Sequence, residues 1–189
     1  MDFPFNALGL SHHWISDAVK PGDFVIDATA GRGRDTLFLS KLTGNCGKVL
    51  AFDIQEEAVE STIALLKENG VTNTQVILAC HSTMDQWAEE ESVSAVMFNF
   101  GWLPGGNHNV HSLAESSVEA VNKALRLLKV GGIATLCIYY GKETGYHEKE
   151  TLIETARNLD PKRFSVLYQE FINRSGDAPL CILIRKDAP

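Results

Sequence analysis

Short apolar runs alternate with amphipathic stretches along most of the chain. Five runs predict strands: Asp23–Ala28, Val49–Asp53, Gln75–Ala79, Ala95–Phe98 and Ile133–Tyr140. Their apolar positions are continuous, which is typical of parallel strands covered on both faces. Apolar side chains at helical spacing predict four helices: Asp35–Leu42, Glu56–Asn69, Leu113–Leu128 and His147–Leu159. Gly131 and Gly132 are expected to end the third of these helices. This alternation predicts a doubly wound α/β sheet with right-handed crossovers.

The end of the chain departs from this alternation. Two further β-rich runs, Phe164–Ile172 and Leu180–Arg185, are separated only by residues 173–179. That connection is too short for a crossover helix, so the two strands are expected to pair as an antiparallel hairpin. The predicted fold is therefore a Rossmann-like seven-stranded sheet, with five parallel strands, a C-terminal antiparallel β-hairpin and helices on both faces. We expect a single domain over residues 1–189.

The charge of the chain is negative and unevenly distributed. Its 189 residues include 17 Lys and Arg against 24 Asp and Glu, a net charge of −7. This balance excludes a protein that coats nucleic acid by bulk charge. Residues 1–119 hold 6 basic and 16 acidic residues, whereas residues 120–189 hold 11 basic and 8 acidic ones. The basic excess points to an anionic partner on the C-terminal side, although surface charge also drifts without functional reason.

Several classes of protein lack their signals here. The N-terminal ten residues carry no basic segment followed by a long apolar one, and no apolar run reaches the roughly 18 residues of a membrane span. The four cysteines form no CxxC pair, and they are Cys46, Cys80, Cys137 and Cys181. His108 and His111 are spaced i, i+3, but no HExxH motif or carboxylate-rich partner lies nearby, so we predict no metal site. His12 and His13 are expected at the surface or at the rim of a substrate site. A cytoplasmic protein with reduced thiols is expected.

A glycine-rich segment follows the first predicted strand and opens the next helix. Gly31 and Gly33 allow a tight turn and close approach of a ligand to the backbone. Carboxylates at Asp27 and Asp35 disfavour a bound pyrophosphate, and Thr36 stands where a dinucleotide-binding loop has its third glycine. The loop therefore indicates a nucleoside-bearing ligand without a tightly held diphosphate, although a simple Gly-rich turn is the alternative.

An acidic residue at the end of the second strand strengthens this interpretation. Asp53 lies 22 residues after Gly31, where doubly wound folds place a carboxylate on ribose hydroxyls. His81 and Ser82 follow the third strand, where they could meet an adenine edge. S-adenosylmethionine fits this combination. The predicted cofactor-binding residues are Asp27, Ala28, Thr29, Gly31, Gly33, Asp35, Thr36, Asp53, Ile54, Gln55, His81, Ser82, Asn99 and Gly101.

A third segment with chemical potential, residues 99–108, follows the fourth strand. The crevice outside the carboxyl ends of parallel strands is the usual binding site of such a sheet. The amide oxygen of Asn99 could hold a target nitrogen there, and Phe100 or Trp102 could stack on a flat base. A hydrophobic loop without such a role is the alternative. We predict Asn99 as the catalytic residue.

Two segments of the chain resemble the signatures of one known family. Residues 26–39, IDATAGRGRDTLFL, resemble the "DATxGxGxDTLFLA" motif of a small bacterial methyltransferase family whose members are often labelled rRNA methylases. Residues 99–108, NFGWLPGGNH, resemble that family's "NLGYLPGGDH" segment. The resemblance extends over nearly the whole chain, and it implies a class I S-adenosylmethionine-dependent methyltransferase.

The better-defined members of the family, the MnmM (YtqB-like) enzymes, methylate tRNA. The resemblance implies conversion of wobble 5-aminomethyl-2-thiouridine in the anticodon loop to 5-methylaminomethyl-2-thiouridine. Asn107 replaces the family's usual Asp, Lys142 replaces a common His and Phe100 replaces a usual Leu. The chemistry does not demand a strong base, because in-line attack mainly requires alignment. The substrate-binding residues expected from the motif are Phe100, Trp102, Leu103, Pro104, His108, Tyr140 and Lys142.

Other partners and functions remain open at this point. The residues expected to contact tRNA are Arg32, Arg34, Lys142, Lys149, Arg174 and Lys186. An apolar surface on the terminal hairpin could support a homodimer. One alternative is a methyltransferase that acts on rRNA or on a small metabolite. Another is a non-enzymatic nucleoside-binding module on the same fold.

Overall fold

The fold is built on one seven-stranded sheet. The computed structural model describes residues 5–101, 114–140, 142–174, 176 and 178–189. The strands are β1 Phe24–Asp27, β2 Lys48–Asp53, β3 Thr74–Leu78, β4 Val93–Phe100, β5 Leu128–Ile138, β6 Phe164–Gln169 and β7 Leu180–Lys186. Their order across the sheet is β3-β2-β1-β4-β5-β7-β6. Strands β1 to β5 are parallel, and β7 pairs antiparallel with both β5 and β6. The predicted topology, including the terminal hairpin, is confirmed.

Five α-helices accompany the strands within the described residues. They are α1 Ala7–Ala18, α2 Arg34–Thr43, α3 Glu56–Glu68, α4 Ala114–Leu127 and α5 Lys142–Arg157. A short 3-10 helix, His81–Gln86, follows β3. Helix α1 was not among the predicted elements, although its sequence carries two ordinary helix signals. Asn6 caps it by accepting a hydrogen bond from the Gly9 amide at 2.7 Å, and Ala7, Ser11 and Ile15 are buried at a spacing of four residues.

The glycine pair in the first part of β5 does not end a helix as predicted. Helix α4 ends at Leu127 and the strand begins at once, so Gly131 and Gly132 lie inside its irregular first part. The pairing of β4 with β5 shifts register there, and Gly131 has a φ of 84°. A side chain on Gly132 would meet the Lys129 carbonyl oxygen at 2.9 Å. The pair therefore permits a bulge with close backbone contact.

Two apolar layers cover the sheet, one on each face. One layer is formed by alternate residues of the strands, such as Leu50, Phe52 and Phe98, together with the buried sides of α4 and α5. The other is formed by the intervening strand residues, such as Val49 and Met97, with α1 and α2. Burial on both faces explains the continuous apolar runs of the sequence. Within the described ranges, none of the helices combines the length and apolar character that a bilayer crossing requires.

Candidate active site

The carboxyl ends of the five parallel strands bring the predicted polar residues to one edge of the sheet. Asp27 ends β1, Asp53 ends β2, and Asn99 is the next-to-last residue of β4. His81 begins the 3-10 helix after β3. Because β1 lies between β2 and β4, the glycine-rich loop stands at the centre of this edge. This is the crevice in which α/β sheets bind ligands.

The glycine-rich loop depends on backbone conformations that favour glycine. Gly31 and Gly33 have φ values of 53° and 79°. A side chain on Gly33 would come within 2.9 Å of the Thr62 Cα, and the Thr62 hydroxyl donates to the Gly31 carbonyl at 3.1 Å. Gly33 therefore permits the loop to pack against α3, a structural reason that the motif alone does not reveal.

Asp27 is fully buried beneath this loop. Its Oδ2 accepts a hydrogen bond from the Thr36 hydroxyl at 2.6 Å, and its Oδ1 accepts one from the Thr29 amide at 3.1 Å. Burial, reinforced by the negative charges of Asp35 and Asp53, raises the pKa of Asp27 to about 7. Ala28 and Thr36 are also buried. These three predicted cofactor residues are therefore buried, and the hydrogen bonds of Asp27 hold the loop together from inside.

Asp53 fixes the outer end of the loop. Its Oδ2 accepts from the Gly31 amide and its Oδ1 from the Gln55 amide, each at 2.9 Å. Each carboxylate oxygen can accept a further hydrogen bond, so Asp53 can hold the loop and a ligand hydroxyl together. The neighbouring Ile54 side chain is 54% exposed, which leaves an apolar surface beside the carboxylate.

His81 contributes a buried acceptor on the other side of the crevice. Burial lowers the pKa of His81, and the effect of burial exceeds that of the hydrogen bond to the Ala28 backbone. The ring lies edge-on to Phe98 and Phe100, with centroids 6.1 and 6.0 Å apart. Its Nε2 is buried and has no partner among the described residues. A neutral imidazole that donates through Nδ1 to a carbonyl presents Nε2 as an acceptor. Ser82, the next residue, is partly buried and donates through its hydroxyl to the Cys80 sulfur at 3.2 Å.

Asn99 is tied to the loop through its backbone and to α2 through its side chain. Its amide nitrogen donates to the Thr29 hydroxyl at 2.8 Å, and its Nδ2 donates to Asp35 Oδ2 at 2.8 Å. Its Oδ1 is buried with no partner within the described part of the chain. A buried amide oxygen without a donor is costly, so this atom is suited to a ligand N–H or O–H group.

Asp35 makes a second contact that the sequence did not indicate. Its Oδ1 lies 2.7 Å from the Nε2 of His12 on α1. The His12 ring also stacks on Phe38, with centroids 4.1 Å apart. The sequence assigned Asp35 to the cofactor and gave no sign of its contact with His12. Only an expectation that α1 packs across the sheet toward α2 could have brought His12 to the site.

Phe100 and Tyr140 occupy core positions. Strand β4 continues to Phe100, two residues beyond its predicted end, so Asn99 and Phe100 project to opposite faces. The Phe100 ring is fully buried and stacks on Phe98 at 5.0 Å, so it offers no face to a base and we do not assign it to the substrate. Tyr140 is 4% exposed, and its hydroxyl donates to the Gly176 carbonyl at 2.8 Å.

Several other predicted positions fall outside this description. Trp102, Leu103, Pro104 and His108 lie outside the described residues, as do Asn107, His111 and the side chain of Lys142. Gly101 is described at the end of β4, with a φ of 142° and with Tyr139 only 3.0 Å from where a side chain would begin. That close approach of two strand ends explains glycine at this position.

The basic residues predicted to contact tRNA lie in different surroundings. The prediction that Lys186 contacts tRNA is wrong, because its side chain is 2% exposed and its Nζ lies 3.0 Å from Glu91. Lys186 pairs with Phe164 at the end of the sheet opposite the crevice. Lys149 is held over the Tyr140 ring at 4.0 Å. Arg32 forms an ion pair with Glu57 at 2.9 Å, and the Arg174 guanidinium lies 4.1 Å from the centroid of the Phe171 ring. Arg34 is exposed at the start of α2.

Comparison with known proteins decides the family. The model of the family described as "Putative rRNA methylase" matches residues 49–185. The chain belongs to this family. It is 36% identical to an Arabidopsis thaliana protein named "tRNA (mnm(5)s(2)U34)-methyltransferase, chloroplastic", over 96% of this chain and 70% of that protein. The predicted family and the predicted enzyme class are confirmed.

Two solved structures superpose closely on this chain. A Clostridium thermocellum protein, described as a "putative rRNA-methylase", is 41% identical to this chain. Its TM-score is 0.95 over 98% of this chain and all of that chain. A Streptococcus mutans methyltransferase in complex with SAH is 33% identical, with a TM-score of 0.87 over 98% of this chain and 99% of that chain. The fold of this chain is that of class I methyltransferases.

The described residues include no group of three His, Cys, Asp or Glu side chains that could hold a metal ion. The polar groups that converge on the crevice are instead hydrogen-bonding groups. They are the Asp53 carboxylate, the His81 imidazole and the Asn99 amide. Such a set suits an organic ligand with hydroxyl and amino groups.

Proposed function

We propose that this chain is an S-adenosylmethionine-dependent tRNA methyltransferase. Its substrate would be the aminomethyl nitrogen of wobble 5-aminomethyl-2-thiouridine, and its product 5-methylaminomethyl-2-thiouridine. The observation that carries the proposal is the Oδ1 of Asn99 near the end of β4, which is buried and has no partner among the described residues. The name of the Arabidopsis relative supplies the substrate class, and the kinship over 96% of this chain supports its transfer.

The residues of the crevice fit S-adenosylmethionine. Asp53 retains acceptor capacity for ribose hydroxyls, Ile54 offers an apolar surface beside it, and His81 offers a fixed acceptor for a nucleoside donor group. The Streptococcus mutans neighbour contains SAH, the product form of this cofactor. When bound, S-adenosylmethionine supplies an electrophilic methyl group on a positively charged sulfur.

The chain's own contribution to the chemistry is alignment and a suitable acceptor. The attacking amine nitrogen must be neutral, so that its lone pair forms the new C–N bond while the C–S electron pair remains on sulfur. The methylated nitrogen then carries a positive charge, and it loses one proton to solvent. Asn99 Oδ1 would accept a hydrogen bond from the amine and direct its lone pair toward the methyl group. The desolvated crevice disfavours the protonated amine before transfer.

A direct assay of purified protein tests this proposal. Bulk tRNA that carries unmethylated 5-aminomethyl-2-thiouridine is incubated with S-adenosylmethionine, and its nucleosides are measured by mass spectrometry. We expect loss of the substrate nucleoside and a matching gain of the methylated one, with no methyl transfer to 16S or 23S rRNA. Methylation of rRNA alone, or of neither RNA, would overturn the tRNA assignment.

We also propose that the chain forms a homodimer through β6. This strand is at the edge of the sheet, and its Val166, Leu167 and Tyr168 side chains are exposed. Unpaired edge strands with apolar side chains are prone to pair with another chain. Light scattering after size exclusion should give twice the chain mass, and Leu167→Lys should give the monomer. Ile63→Lys, at an exposed apolar position on α3, is the control that should leave the mass unchanged.

A cytoplasmic location completes the proposal. All four cysteines are free, as expected in a reducing compartment. Fractionation of cells that express the tagged chain tests this location, and recovery with the membrane or secreted fraction would contradict it.

A further inference from the structure

Asp35 connects three separate elements at the end of β4. It lies in the first turn of α2, and its two oxygens contact different partners. Oδ1 is 2.7 Å from His12 Nε2 on α1, and Oδ2 is 2.8 Å from Asn99 Nδ2 on β4. The side chains of His12 and Asp35 are 33% and 15% exposed. Both contacts therefore lie at the border of the crevice, where hydrogen bonds are only partly screened by water.

The chemistry of a carboxylate determines which end of the Asn99 amide faces it. An ionised carboxylate only accepts hydrogen bonds, so it can pair with the Asn99 NH₂ group and not with its carbonyl oxygen. If the amide turned over, Oδ1 would face Asp35 Oδ2, and two acceptors would repel each other. The observed pairing therefore directs Oδ1 away from Asp35, into the buried position where it has no partner among the described residues.

His12 in turn restricts Asp35. The same argument requires that His12 Nε2 carries the hydrogen in its contact with Asp35. The ring is held on its other side by stacking on Phe38, at an interplanar angle of 14°. A carboxylate bound at both oxygens by donors on different elements has little freedom to rotate. Loss of the His12 donor would free Oδ1, and the Asp35 carboxylate could then rotate to hydrogen-bond Asn99 or water differently.

We propose that His12 and Asp35 are positioning residues that fix the Asn99 amide with its oxygen toward the methyl acceptor. This inference rests on the proposed function, because it gives Asn99 Oδ1 the amine as its partner. His12 and Asp35 touch neither the amine nor the transferred methyl group. Their contribution is to keep an acceptor rather than a donor at the reacting nitrogen, since a donor there would compete for the nucleophilic lone pair.

Two substitutions of His12 separate its hydrogen bond from its packing. His12→Phe keeps an aromatic ring to stack on Phe38 and loses the donor to Asp35. His12→Gln loses the ring and keeps an amide donor. His13→Phe, on the exposed adjacent position, is the control for a general effect of a new aromatic residue on α1. Asp35→Asn tests the same network from its centre, because an amide at residue 35 can pair with either end of Asn99.

Each variant is measured for kcat and KM with tRNA, and for cofactor affinity by calorimetry. The side-chain NH₂ signal of Asn99, identified by its loss in Asn99→Ala, is also followed by NMR for hydrogen exchange with water. We expect His12→Phe and Asp35→Asn to lower kcat about tenfold and to speed this exchange, with cofactor affinity within about twofold of wild type. His12→Gln and His13→Phe should resemble the wild type in both readouts.

The opposite pattern overturns the inference. If kcat falls as far in His12→Gln as in His12→Phe, the hydrogen bond between His12 and Asp35 does not position the Asn99 amide. The same conclusion follows if neither His12→Phe nor Asp35→Asn changes the exchange of the Asn99 NH₂ group. The exchange measurement needs no turnover. If the wild type methylates no tRNA, the proposed function fails, while protected exchange that is lost in His12→Phe and Asp35→Asn and kept in His12→Gln still supports the fixed amide.

Discussion

The two halves of the crevice differ in how fully the protein satisfies its own polar groups. Over β1 and β2, both oxygens of Asp27 and both oxygens of Asp53 accept hydrogen bonds from the glycine-rich loop and its surroundings. Over β3 and β4, His81 Nε2 and Asn99 Oδ1 are buried without a partner among the described residues. A buried unsatisfied polar atom costs roughly 1–3 kcal/mol.

The protein itself completes the hydrogen bonds of the first half, whereas those of the second half require a ligand. The first half is preorganised, because its carboxylates hold the loop in shape before any ligand arrives. The second half retains two buried acceptors, His81 Nε2 and Asn99 Oδ1. A ligand with amino or hydroxyl groups would donate to them and remove the free-energy cost of leaving them unsatisfied. We therefore expect substitutions in the first half to affect cofactor binding and folding, and substitutions in the second half to affect the transfer step.

The largest effect is expected from Asp53→Ala, which removes the outer support of the first half. The change deletes the proposed ribose acceptor and also the acceptor for the Gly31 and Gln55 amides. Two charge-assisted hydrogen bonds of roughly 1.5–3 kcal/mol each predict a loss of more than about 100-fold in affinity for S-adenosylmethionine. Calorimetry measures this loss. Glu60→Ala, exposed on α3, is the control, and an Asp53→Ala affinity within about twofold of wild type would contradict the cofactor site.

The second half is tested by Asn99→Ala. We expect kcat to fall about 100-fold, because the acceptor that orients the amine is lost, while cofactor affinity changes less than about threefold. Stability should change little, since the substitution also removes a buried oxygen that has no partner in the described part of the chain. Single-turnover kinetics and calorimetry on the same preparation separate the two readouts. If affinity fell as far as kcat, Asn99 would belong to the cofactor half and the comparison would fail.

The sequence predicts this site well where a strand end determines the position of a residue. Asp53 and Asn99 lie in the crevice because parallel strands bring their carboxyl ends together, and the periodicity of the chain locates those ends within about two residues. The inward direction of Asp27 and the pairing of His12 with Asp35, 23 residues apart, depend on how helices pack across the sheet. Local patterns carry no information on that packing. The sequence placed Phe100 after the strand because the predicted end of β4 came two residues too early, whereas the longer strand carries its buried ring against Phe98.

A smaller effect on stability is expected from Gly33→Ala, which tests whether the loop is held by α3. Alanine at a φ of 79° costs roughly 1–2 kcal/mol, and its Cβ would come within 2.9 Å of the Thr62 backbone. With that overlap, we expect a total loss of about 3 kcal/mol in the free energy of unfolding, measured with urea. Gly70→Ala is the matched control, because its φ is 65° and a side chain there meets nothing within 4 Å. Its loss should be only about 1 kcal/mol, and equal losses would show that packing on Thr62 contributes nothing.

The smallest effect is expected from Asp27→Asn, which tests the proton held on Asp27 beneath the loop. The folded pKa of Asp27 is about 7, above its ordinary value of 3.8, because burial and the charges of Asp35 and Asp53 disfavour ionisation. The folded chain thus holds a proton that the unfolded chain releases, so this contribution to stability is complete below about pH 4 and is lost as the pH rises through 7. Asparagine carries no such proton. Relative to wild type, the variant should gain at least about 1 kcal/mol in unfolding free energy between pH 4 and 7.5. The exposed Asp17→Asn should show no such gain, and equal pH slopes for wild type and Asp27→Asn would mean that Asp27 is ionised in the folded chain throughout this range.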